Sequence, residues 1–101
     1  MTLKEKRILF TSLVPKLINK MIEDGYKPMI GRDGMKHMKN SLHFDGLAVD
    51  VDLCDSNGKY LSDTESHKPF GEFWCGLNEL CRWGGDWGDG NHYSVTDTGR
   101  K

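Results

Sequence analysis

The segment "SLHFDGLAVDVDL" (residues 41–53) carries His43, Asp50 and Asp52, and "DWGDGNH" (residues 86–92) carries Asp89 three positions before His92. Carboxylates are depleted in strands and costly to bury unpaired, so two aspartates inside the most strand-like segment of the chain need a reason. A metal ion gives one. Zinc accepts imidazole nitrogen and carboxylate oxygen, and a catalytic zinc site uses three protein donors while leaving a fourth position for water. His43, Asp50 and His92 could supply those donors, with Asp89 close enough to exchange a proton with the water and a leaving group. A solvated sheet face explains Asp50 and Asp52 equally well, and an ordinary turn explains Asp89, Gly90 and Asn91. Spacing alone leaves both readings open. A third reading, magnesium-dependent phosphoryl chemistry at Asp50 and Asp52, lacks a third placed carboxylate, a phosphate-cradling glycine loop and a basic groove.

These residues need elements to position them. In "GLAVDVDL" the side chains alternate, so Leu47, Val49, Val51 and Leu53 share one strand face and Ala48, Asp50 and Asp52 the other. The apolar face should pack on a helix, leaving the aspartates toward solvent or a polar cleft. Gly46 lets the entering chain bend so that His43 and Asp50 converge, and Ala48 leaves room beside them. Upstream, Thr2 and Glu5 fit a capping box ahead of an apolar stripe, Phe10, Leu13, Val14, Leu17, Ile18, Met21 and Ile22, closed by Gly25, with a kink expected at Pro15. "YKPMIG" reads as a short strand and "RDGMKHMKN" as a polar connection. Asn57-Gly58 marks a hairpin into a brief strand over 59–61. Phe70, Phe73, Trp74, Leu77 and Leu80 predict a second amphipathic helix over 69–81. "RWGGDWGDGNHYSV" reads as a shaped loop ending in a strand over 92–95, and "TDTGRK" as a frayed end.

The length of 101 residues suits a single domain spanning 1–101. Fourteen Lys and Arg against fifteen Asp and Glu give a net charge of −1, so nothing points to nucleic acid or an anionic membrane. No apolar run approaches the roughly 20 residues that a membrane-spanning helix needs, and the charged N-terminus does not read as a signal peptide. Cys54, Cys75 and Cys81 are odd in number and lack C-x-x-C spacing, so reduced structural thiols and synthesis in a cytoplasm are expected.

"SLHFDGLAVDVDL" resembles the Ser-x-His, x-x-Gly-x-Ala-x-Asp pattern of the M15 zinc peptidases. That family includes D-Ala-D-Ala carboxypeptidases and dipeptidases and the L-alanyl-D-glutamate endopeptidases of phage lysins. "GKYLSDTESHKPFGEFWCGLNELCRWGGDWGDGNHYSV" is similar to the small phage and prophage branch, with its Gly-Lys-Tyr-Leu turn, Gly-x-x-Trp helix, Trp-Gly-Gly segment and Asp-Gly-Asn-His motif. With the N-terminal helix included, the resemblance covers nearly the whole chain. It implies an α+β fold of the hedgehog/DD-peptidase-like kind, a small antiparallel sheet with helices packed on one side. It also implies zinc held by His43, Asp50 and His92, and Asp89 as general acid/base where many relatives have Glu. Ser41 would bind substrate or steady the ligand loop, and Arg32 would hold the substrate or the developing oxyanion. The stretch from Arg32 to His43 is shorter than in most relatives. Tyr93 and Ser94 stand where many have Phe-Glu.

The implied substrate is the peptidoglycan stem peptide, cut at the L-alanyl-D-glutamate bond by a monomeric endolysin that waits in the host cytoplasm until the membrane is opened. The alternatives are D,D-carboxypeptidase or dipeptidase activity, or a zinc-binding relative without catalysis that serves as a structural or binding module. Asp52 is expected to orient His43 or face water, and no role is given to Asp86. His37 and His67 are expected at the surface, and Trp83 and Trp87 in the cleft wall or the core.

Overall fold

The computed structural model describes residues 1–32 and 41–101. His37 and most of the expected polar connection lie outside the described residues. Helix α1, Leu3–Glu23, begins on the expected capping box: Thr2 Oγ1 accepts from the Glu5 N–H at 3.1 Å, and the Glu5 carboxylate accepts from the Thr2 N–H at 2.8 Å. Phe10, Leu13, Leu17 and Met21, three or four residues apart, form its buried face. Ile22, expected on that stripe, is exposed, because one further residue turns the side chain about 100° from Met21. Pro15 lies inside the helix, which continues to Glu23.

Strand β1, Lys27–Ile30, leads to β2, Ala48–Cys54, and the Asn57-Gly58 turn returns the chain as β3, Tyr60–Leu61. Helix α2 runs over Thr64–Leu77, not 69–81. It starts earlier because the Asp63 carboxylate accepts from the Ser66 N–H at 3.0 Å and nucleates the first turn ahead of Pro69. It ends earlier because Asn78 caps the next turn, its Oδ1 accepting from Leu80 N and its carbonyl from Cys81 N. The earlier start corrects the placement of His67: with Phe70, Gly71 and Trp74 it lies on the inner stripe of α2, buried, its Nδ1 2.8 Å from the Tyr93 hydroxyl. A buried imidazole needs such a partner.

Cys81–Trp83, expected as the last residue of the second helix and the start of the shaped loop, forms strand β4, followed by a 3-10 turn over Gly84–Trp87 and strand β5, His92–Val95. All pairings are antiparallel in the order β1-β2-β5-β4, with β3 also on β2. The described residues are thus α+β, two helices with a small antiparallel sheet. Val49, Val51 and Leu53 join Phe10, Leu13, Leu17, Phe70 and Trp74 in one hydrophobic core. Trp74 locks β5 to it, meeting Tyr93 edge-on at 6.1 Å and donating Nε1–H to the Ser94 carbonyl at 3.0 Å. Tyr93 and Val95 therefore face inward, and His92 and Ser94 face the opposite side with Asp50.

The last residues are tied down, not frayed. Lys6 pairs with Asp97 at 2.7 Å, and Arg100 bridges Asp45 at 2.7 Å and Asp97 at 2.6 Å. The three cysteines are free thiols. Burial pushes Cys81 up to about 11 and raises Cys75 as well, so both stay protonated near neutral pH. Among the described residues, no helix is long and apolar enough to cross a membrane.

Candidate metal centre

Asp50 and His92 face one another directly in the β2–β5 register, which puts both side chains on the same face of the sheet. His43 reaches them from a turn closed by a Leu47 N–H to Leu42 carbonyl bond of 2.8 Å, in which Gly46 takes a positive φ of 72° that an L side chain rarely adopts. Ser41 steadies that turn, its Oγ accepting from the His43 N–H at 3.2 Å.

The three side chains converge. His43 Nε2 stands 3.2 Å from His92 Nδ1 and 3.3 Å from Asp50 Oδ1, and His92 Nδ1 stands 3.6 Å from the same oxygen. Donors about 2.0–2.1 Å from a tetrahedral ion must be roughly 3.3–3.4 Å apart. The observed triangle is therefore sized for one divalent metal ion, and its two imidazoles and one carboxylate are suitable donors. His92 Nε2 points the other way, donating to the Lys101 main-chain carbonyl at 2.8 Å. Burial opposes the imidazolium form of His92. The nearby Asp50 carboxylate and the hydrogen bond to the Lys101 main-chain oxygen, with the charge of Asp89, outweigh it and raise the proton affinity above the ordinary histidine value. A site that attracts a proton this way attracts a cation.

The loop carrying Asp89 is folded tightly against β4 and β5. At Gly84 an added Cβ would stand 2.2 Å from the Asp89 carbonyl and 2.6 Å from His92 Cβ, so only glycine permits the approach. Asn91 pins the loop to β2 twice: its carbonyl accepts from the Val51 N–H at 2.8 Å, and its Nδ2 donates to Asp52 at 3.0 Å. Asp52 thus holds the loop, which is neither of the roles expected for it. Trp83 is buried and donates Nε1–H to the Gly90 carbonyl at 2.8 Å. Trp87 is exposed, with its ring 5.5 Å from that of His92.

A cleft of about 490 Å³ opens beside the triangle, lined by Ser41, Leu42, Trp87, Asp89, His92, Arg100 and Lys101. Asp89 is exposed on its wall, while Asp86 is exposed nearby. Arg32 is also exposed, one residue after Gly31, whose N–H donates to the Asp50 carbonyl at 2.6 Å. Arg100 was not anticipated in this cleft. It gives no apolar periodicity to read, and only its spacing from Asp97 hinted at a charged contact. No protein-family profile, curated protein or solved structure matches this chain, so the triangle and its cleft carry the functional reading.

Proposed function

We propose that the chain is a zinc-dependent peptidase acting on the peptidoglycan stem peptide, most simply at its L-alanyl-D-glutamate bond, as an endolysin of the kind its motifs resemble. The observation that carries this reading is the triangle of 3.2, 3.3 and 3.6 Å among His43, His92 and Asp50. Two imidazoles and one carboxylate form a three-donor set suited to zinc with a position left open. When bound there, zinc supplies Lewis acidity and lowers the pKa of a water. Asp89 is exposed at the adjoining cleft and outside the triangle, where it would accept a proton from such a water and return it to the departing amine. Ser41 holds the His43 turn, and Arg32 is assigned to the substrate carboxylate or the oxyanion.

Metal content of chelator-free protein, measured beside His43→Ala, tests the centre. About one zinc per chain, lost in the variant, is expected. Release of new amino groups from purified peptidoglycan then tests the reaction. Free D-alanine would instead identify a D,D-carboxypeptidase. Zinc bound without new amino groups or D-alanine would overturn the hydrolytic reading in favour of a binding module, and failure to bind supplied zinc would overturn the metal centre.

A further inference from the structure

His92 and Ser94 alternate onto the same face of β5, and both donate to one atom, the main-chain carbonyl oxygen of Lys101. A main-chain oxygen carries no proton near neutral pH, so it can only accept. The proton of neutral His92 must then sit on Nε2, which leaves Nδ1 with a bare lone pair directed at His43 Nε2 and Asp50. The carbonyl is itself held in place: Thr96 Oγ1 donates to the Arg100 carbonyl at 2.5 Å, Arg100 bridges Asp45 and Asp97, and the Lys101 ammonium lies 5.7 Å from the centre of the Trp87 ring. Ser94 is completely buried, and its bond to the Lys101 oxygen directs its hydroxyl.

We propose that Ser94 and the residue-101 carbonyl are positioning groups of the metal centre, holding His92 in the Nε2–H tautomer so that Nδ1 is presented to the ion. This rests on the metal centre proposed above. Ser94 itself touches neither metal nor substrate. It aims the acceptor that orients a ligand, a role often taken by a side-chain carboxylate in other metal sites.

Nitrogen-15 NMR of the His92 ring in the full metal-free chain, at a pH where the ring is neutral, tests the tautomer directly. The expected spectrum has Nε2 protonated and Nδ1 bare, with the Nδ1 resonance moving on addition of zinc. Ser94→Ala is expected to admit the Nδ1–H tautomer and to weaken zinc binding about 10- to 100-fold. Zinc binding with His92 in the Nδ1–H form, or Ser94→Ala with unchanged tautomer and affinity, would overturn the proposal while leaving the metal centre standing. An Nε2–H ring in a chain that binds no zinc would overturn both.

Discussion

The carboxylates of Asp50 and Asp89 occupy different environments, one 3.3 and 3.6 Å from two imidazole nitrogens and the other exposed on a cleft wall. Under the proposed function the two have different tasks, and substitution distinguishes them. Asp89→Asn should retain about one zinc and lower turnover by about 10²- to 10⁴-fold, measured as amino groups released from peptidoglycan. Unchanged turnover would remove Asp89 from the mechanism. Asn91→Ala loses the bond to Asp52 and should lower stability by about 1 kcal/mol in a denaturant titration. Strand alternation fixes the face of Asp50, but spacing alone leaves the two histidines undecided, and only the resemblance points to them as its partners. The role of Asp52 was not legible in the sequence. Its partner comes from a loop, and no periodicity links the two.

Between elements, the close approach of the 3-10 turn to β5 depends on Gly84. In Gly84→Ala the new methyl group collides with main chain, which cannot swing aside as a flexible side chain can. The loop bearing Asp89 and Asn91 must move. The expected result is weaker zinc binding with helix content unchanged by circular dichroism, and equal affinity would show that the loop does not set the ligand geometry. Core packing responds differently. Leu17→Ala removes a fully buried side chain and should cost about 2–5 kcal/mol of stability, read from the denaturation midpoint. Helix α1 and strand β2 could be read from periodicity because each is long enough to repeat its pattern. Strand β4 could not, since three residues give a period of two almost no chance to repeat. The bounds of α2 slipped because Leu80 continues the helical spacing beyond Leu77, while the Asn78 cap ends the helix by hydrogen bonding that no apolar pattern records.

Across the molecule, charged and buried polar groups make stability depend on pH. Burial lowers the pKa of His67 below its ordinary 6.5, so the folded state prefers the neutral ring. As pH falls below about 6.5 the unfolded chain takes up the proton first, and stability present above that value is lost as pH falls through the folded pKa. Wild type should therefore weaken relative to His67→Asn in denaturation curves from pH 8 to 5, and a constant difference would mean that His67 is not the titrating group. The ties that draw residues 97–101 onto Lys6, Asp45, His92 and Ser94 were invisible in the sequence. They are single ion pairs and bonds to one main-chain oxygen, where hydrophobic patterning has nothing to report. Trp74 and Trp83 are buried whereas Trp87 is 43% exposed and edges His92. The indole emission of Trp87 should thus lie to the red of the other two and be the first quenched by iodide, giving the cleft an intrinsic optical reporter that needs no attached dye.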